Sequence, residues 1–237
     1  MTFKNGIIEP QPFREEVAIM ITLRHPNLVQ LYAICTQEEP LMMIMELMSQ
    51  GSLLEYLRGE GRSLKLRGLV DMAAQVAAGM EYLEDRDYIH GDLAARNVLV
   101  GDLNTCKISD FGLSRLIDDY DDRTSRLPIK WMAPEAALYN RFTTKSDVWS
   151  FGVLLYELLT YGRFPYPGMT NSEVLKKLQV GYRMPPPPNT PDRFYQIILD
   201  TWKEDPLDRP TFELIKWILE NFFAQDFSYR NAIDMKT

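Results

Sequence analysis

Oxygen-bearing side chains recur at fixed gaps in the middle of the chain: His90-Gly91-Asp92-Leu93-Ala94-Ala95-Arg96-Asn97, then Asp110-Phe111-Gly112, then Ala133-Pro134-Glu135. Carboxylates and a carboxamide so spaced, with an arginine among them, are residue types of proton transfer and of hard-cation binding. Taken singly, Asp92 or Asp110 reads as a turn or cap residue, and a triplet such as Asp-Phe-Gly arises often by chance. The joint order and spacing reverse that reading. Other chemistries are poorly provided for. Neither Cys35 nor Cys106 has a second Cys or a His at ligand spacing, which excludes a disulfide framework and fits a reducing compartment. With 26 Lys and Arg against 33 Asp and Glu, the net charge of -7 leaves no overall basic footprint for nucleic acid.

These residues need a frame. A composition of 46% hydrophobic and 25% charged residues over 237 positions is that of a globular chain able to bury a sizeable core. Residues 13–24 place Phe13, Val17, Met20 and Ile21 at helical spacing behind Pro12, which predicts a helix. Residues 28–36 and 41–47 are apolar, β-prone runs separated by Gln37-Glu38-Glu39-Pro40 and predict two antiparallel strands. From Leu53 the period turns helical, over 53–58 and then 66–84, where Leu69, Ala73, Val76, Ala77, Met80 and Leu83 form one stripe. Further helices are predicted at 134–139, 146–160, 171–179, 192–202 and 211–223. Between them, 88–117 holds short β-prone pieces (Val98-Leu99-Val100 and Cys106-Lys107-Ile108) in polar loops, and 118–128 is acidic and aperiodic, the pattern of a site region. The longest apolar stretch, 148–161, is interrupted by Ser150, Gly152, Glu157 and Thr160 and is too short to span a bilayer. It reads as a buried helix of a large core. Nothing at the first residues resembles a signal peptide or a myristoylation site, so no direct membrane segment is expected.

In this order and at these gaps, the three motifs resemble the catalytic loop, the metal-binding loop and the end of the activation segment of a protein kinase. Leu93-Ala94-Ala95-Arg96-Asn97 together with Pro128-Ile129-Lys130-Trp131 resembles the tyrosine-specific branch. Gly51-Ser52-Leu53-Leu54-Glu55-Tyr56-Leu57, Lys145-Ser146-Asp147-Val148-Trp149-Ser150-Phe151-Gly152 and Tyr166-Pro167-Gly168-Met169 are most similar to the Src family of cytoplasmic tyrosine kinases. The resemblance covers residues 1–223. It implies an α+β, two-lobed fold with a truncated small β lobe over 1–48, a complete and mainly helical large lobe over 49–223, and a tail over 224–237. It also implies transfer of the γ-phosphate of MgATP to tyrosine of a protein or peptide, in the cytoplasm. Such a transfer needs little covalent help, so the protein supplies positioning and charge. By resemblance, Asp92 takes or orients the tyrosine proton, Arg96 adds positive charge beside the phosphate, and Asn97 and Asp110 are hard oxygen ligands of Mg²⁺. Glu46 and Met48 offer backbone contacts to adenine, Met45 stands at its back, and Leu99 joins the ATP-binding set. Pro128, Ile129 and Trp131 belong to the peptide-binding segment. Glu135 pairs with Arg209, Asp147 holds the catalytic-loop backbone, and Met20, Leu31, His90 and Phe111 stack as a regulatory spine, with His90 a packed histidine and not an acid or base. By packing alone, Met42–Met45 read equally as an ordinary core strand.

Two departures from the family's pattern bear most on activity and its control. No Gly-x-Gly-x-x-Gly and no Val-Ala-x-Lys precede the first predicted helix, and Met1 stands where Src-like chains carry the catalytic lysine, so Glu16 lacks its usual lysine partner. The expectation is an N-terminally incomplete tyrosine kinase domain of impaired activity that binds MgATP weakly; the alternative is a pseudokinase or interaction module. The uncovered sheet edge of such a small lobe invites self-association. The second departure is His90-Gly91-Asp92 in place of His-Arg-Asp, which removes the arginine that grips a phosphorylated activation loop. Tyr120, in Asp118-Asp119-Tyr120-Asp121-Asp122, suits a phosphoacceptor and equally a solvated turn, and its phosphorylation is expected neither to order the segment nor to raise activity. Tyr229 lies near the place of the family's inhibitory tail tyrosine, but the flanking tail does not match closely, which favours reading it as an aromatic of a frayed terminus.

Overall fold

The computed structural model describes residues 20–35, 42–110 and 127–224. Of the helix expected over 13–24, residues 20–22 are seen as helix; its earlier part, with Glu16, lies outside the described residues. Two strands follow, β1 (Leu31–Cys35) and β2 (Met42–Met45), paired antiparallel with Ala33 opposite Ile44 and with an irregularity between Leu31 and Ala33. The strand expected over 28–36 thus begins late, because its first residues have a competing partner. Val29 N–H donates to the Ile108 carbonyl at 2.9 Å and Ile108 N–H to the Asn27 carbonyl at 2.8 Å, so the segment bridges to a second sheet instead.

That second sheet is a hairpin, β3 (Val98–Val100) and β4 (Cys106–Ile108), with Val98 opposite Ile108. It stands between two helices, α1 (Leu53–Arg58) and α2 (Leu66–Glu84), and the rest of the fold, α3 (Pro134–Tyr139), α4 (Thr144–Leu159), α5 (Asn171–Gln179), α6 (Asp192–Thr201) and α7 (Phe212–Glu220). The α+β class read from the sequence, a small sheet with a mainly helical remainder, is the one observed. α4 begins before its expected start at 146 because Thr143 and Ser146 form a reciprocal cap: Ser146 N–H donates to the Thr143 hydroxyl at 3.2 Å and Thr143 N–H to the Ser146 hydroxyl at 2.9 Å.

α4 is the axis of the core. Val148, Trp149, Phe151, Val153, Leu154, Leu155 and Leu158 are all fully buried, and each such side chain stabilises by about 1.5–3 kcal/mol. Gly152 has no side chain for a spatial reason. A Cβ there would stand 2.0 Å from Thr201 Oγ1 and 2.6 Å from Trp202 Nε1, at the closest approach of α4 to the end of α6. The stripe of α2 (Leu69, Ala73, Val76, Ala77, Met80, Leu83) is buried in the same core. Among the described residues no helix is long and apolar enough to cross a membrane.

Candidate active site

The β3–β4 hairpin explains how residues thirteen apart meet. Asn97 stands just before β3 and Asp110 just after β4, and the Asn97 carbonyl accepts from Ser109 N–H at 2.8 Å and from the Ser109 hydroxyl at 3.0 Å. Both therefore sit at the open end of one hairpin. Asp110 is exposed there in a left-handed conformation, φ 55°, which costs a non-glycine residue energy.

The loop that leads into β3 is held from below by α4. Asp147, 1% exposed, accepts His90 N–H at 2.7 Å and Gly91 N–H at 2.9 Å, one on each oxygen. Burial pushes its pKa up to about 7 against the pull of those two bonds. Gly91 takes φ 77°, which a residue without Cβ adopts freely. His90 is wholly buried and neutral. Asp92 N–H donates to its Nδ1 at 3.1 Å, so the ring hydrogen is on Nε2, 3.1 Å from the Ser109 carbonyl, and burial depresses its pKa.

Asp92 itself is tethered on both oxygens. Asn97 Nδ2 donates to its Oδ2 at 2.8 Å and to its carbonyl at 2.7 Å, while the Arg96 guanidinium forms an ion pair with Oδ1. Arg96 in turn lies 4.6 Å over the ring of Trp131. The structure thus brings Asp92, Arg96, Asn97 and Trp131 into one cluster. In the segment expected to bind a peptide, Ile129 and Trp131 are only 7% and 8% exposed and point into the fold, and Pro128 is half-buried. Trp131 meets Phe164 edge-on at 5.2 Å, and Lys130 reaches the Tyr166 carbonyl at 3.3 Å. Glu135 is paired with Arg209, whose fully buried side chain also donates to the carbonyls of Lys203 and Lys145, each at 2.9 Å.

A model of the protein tyrosine and serine/threonine kinase family matches residues 3–219. The chain belongs to that family. It is 62% identical over 238 residues to tyrosine-protein kinase SRK2 of Spongilla lacustris, an alignment covering 99% of this chain and 66% of that protein. It is 56% identical to tyrosine-protein kinase SRK3 of Spongilla lacustris, over 97% of this chain and 70% of that protein. Against tyrosine-protein kinase FRK of Homo sapiens the identity is 54%, over 98% of this chain and 47% of that protein. The chain thus spans from 47% to 70% of the length of these relatives.

The connection from β2 to α1 is tied to both sheets. Glu46 N–H donates to the Gln30 carbonyl at 2.9 Å, its carboxylate accepts Gln30 N–H at 3.3 Å, and Lys107 on β4 pairs with it at 2.6 Å. Met45, at the end of β2, and Met48 are half-buried; the Met48 side chain lies against Gly101. Leu99 is half-buried on the face of β3 opposite buried Val98 and Val100. Met20 and Leu31 are buried in the core, whereas Phe111 and Tyr120 lie outside the described residues, as does Tyr229. Two residues that the motifs do not include are central to the geometry of the loop around Asp92. Ser109 latches the hairpin end and gives no sequence signal. Glu157, a carboxylate inside the apolar run of α4, accepts from Ala95 N–H and from Trp131 Nε1–H, both at 2.9 Å. Burial raises its pKa, opposed by these two bonds.

Proposed function

We propose that the chain is a tyrosine kinase catalytic domain, acting in the cytoplasm, that moves the γ-phosphate of ATP onto a tyrosine hydroxyl of a protein or peptide. The observation that carries this reading is the Asp92 carboxylate, 17% exposed and oriented on both oxygens, at the end of a hairpin that also presents Asn97 and Asp110. An oriented carboxylate is what accepting a hydroxyl proton requires. Arg96, beside it, stabilises negative charge as it moves between oxygens.

The donor set fits Mg²⁺. Asn97 spends its amide hydrogens on Asp92, so its carboxamide oxygen would be the atom offered to a cation, and Asp110 would add a carboxylate. Two hard oxygens from the protein suit a cation that completes its octahedron with water and phosphate oxygens. Among the described residues no group of three His, Cys, Asp or Glu side chains could hold a metal by itself. When bound, Mg²⁺ neutralises charge on the phosphates. Glu46 and Met48 hold adenine through their backbone, with Met45 and Leu99 against the ring, and the segment of Pro128, Ile129 and Trp131 supports the peptide from a packed base.

Incubating the chain with MgATP and matched peptides carrying a single Tyr, Ser or Thr, followed by mass spectrometry, tests the reading. Phosphate on the tyrosine peptide alone is expected. No transfer, or transfer to serine in preference, would overturn it.

A further inference from the structure

Glu157 lies on α4 among Val153, Leu154, Leu155 and Leu158, and is 1% exposed. Burying a carboxylate is costly unless hydrogen bonds compensate, and an apolar residue of similar volume serves stability as well or better. The bonds it makes are informative. One oxygen, Oε2, accepts both the Ala95 N–H and the Trp131 indole N–H. The first donor is backbone of the loop that carries Asp92; the second is a side chain of segment 128–131. A single atom therefore fixes these two pieces against each other. Trp131 carries the Arg96 guanidinium on its ring, and that guanidinium pairs with Asp92. Earlier on the same helix, Asp147 holds His90 and Gly91, so α4 grips the loop on either side of Asp92.

We propose that Glu157 is a positioning residue for transfer to tyrosine: through the Trp131 indole and Arg96, it sets the orientation of Asp92 relative to the peptide-supporting segment. This rests on the phosphotransfer reading above. Without the tether the packed indole loses the bond that fixes its N–H edge, the surface under Arg96 shifts, and Asp92 loses a fixed partner. The nucleotide side is held by other bonds, those of Glu46 and of the hairpin end, so the effect falls on the peptide and on the chemical step.

The test compares the parent chain with Glu157→Leu, Glu157→Gln, Trp131→Phe and the Glu157→Leu/Trp131→Phe double variant. Unfolding midpoint, MgATP affinity by titration calorimetry, and kcat and KM for a tyrosine peptide are read on each. Glu157→Leu is expected to lose at least 30-fold in kcat/KM for the peptide with MgATP affinity within twofold of the parent. Glu157→Gln, which keeps an acceptor oxygen, is expected to recover most of that loss. Trp131→Phe removes the indole N–H together with the pyrrole half of the ring and is expected to lose about 3- to 10-fold, and the double variant to be no worse than Glu157→Leu alone, because the two residues act as a unit. If Glu157→Leu does not fold, Trp131→Phe decides by the same peptide-against-nucleotide split. Peptide kinetics unchanged in the folded variants, equal loss in peptide kinetics and MgATP affinity, or losses that multiply in the double variant would overturn the proposal while leaving the kinase reading intact. A parent chain that transfers no phosphate would remove that reading, and this one with it.

Discussion

Two regions of the molecule hold their polar and apolar groups in opposite ways. Around α4, His90, Asp147, Glu157 and Arg209 are each at most 2% exposed, and each is bonded to backbone or to a charged partner. On the β1–β2 sheet and just past it, Tyr32, Ile44 and Leu47 stand 61%, 54% and 90% exposed, and the links to the rest include a short run of bonds between 27–29 and Ile108 and the Glu46–Lys107 pair. Breaking a buried, hydrogen-bonded charge costs several kcal/mol, whereas breaking a partly exposed ion pair costs about 1 kcal/mol or less. The Asp92 cluster is therefore located from the helical side, and the sheet side supplies the part of the molecule that opens cheaply.

The severest way to break the frame is Arg209→Ala. It leaves Glu135 without its partner and removes the fully buried guanidinium that donates to the carbonyls of Lys203, Lys145 and Glu204. We expect a loss of about 3–5 kcal/mol in urea unfolding. A loss below about 1 kcal/mol would place the strength of this region in its apolar packing alone.

Asp147→Asn comes next. The amide turns an N–H toward one of two backbone donors, at a cost of about 1–3 kcal/mol. It also changes how stability depends on pH. The carboxyl titrates near 7 when folded against 3.8 ordinarily, so between those values the folded chain keeps a proton that the unfolded chain has lost. The group's contribution to stability then falls as pH rises from about 4 to about 7 and is flat above. Asparagine does not titrate, so the stability gap between parent and variant should narrow from pH 5 to pH 7 and stay constant from 7.5 to 8.5. A gap constant across the whole range would show Asp147 ionised throughout.

The gentlest change is Lys107→Met on the sheet side. Its pair with Glu46 is partly exposed, 17% and 24% at the two side chains, and should be worth less than about 1 kcal/mol. Hydrogen exchange sharpens the contrast. The amides of Val29 and Glu46 should exchange faster in the variant, while those of His90, Gly91 and Ala95 remain as protected as in the parent. Faster exchange at His90 or Ala95 would mean that the sheet, too, positions the loop.

Much of this division was legible in the sequence, and the rest was hidden for identifiable reasons. α1, α2, α3, α5 and the hairpin strands match their predicted bounds because a single apolar period or a short β-prone run decides each. The start of β1 was misplaced because Val29 has a better hydrogen-bond partner in Ile108, far along the chain. Asp92, Asn97 and Asp110 stood out by spacing, yet spacing could not show that Ser109 latches the hairpin end. Glu157 was visible as an interruption of an apolar run, but its two donors lie 62 and 26 residues away. Pro128, Ile129 and Trp131 were legible as one segment by resemblance, but spacing could not show that the side chains of Ile129 and Trp131 pack inward, where an apolar segment next to α4 buries more surface.

The central claim is that Asp92, fixed from α4, takes the tyrosine proton. Asp92→Asn removes that carboxylate at nearly constant volume, and the rate of phosphotyrosine formation and the urea midpoint can be measured on one preparation. The account predicts a loss of about 10²- to 10⁴-fold in rate with the midpoint close to that of the parent. An Asp92→Asn chain that phosphorylates tyrosine at the parent rate would contradict it.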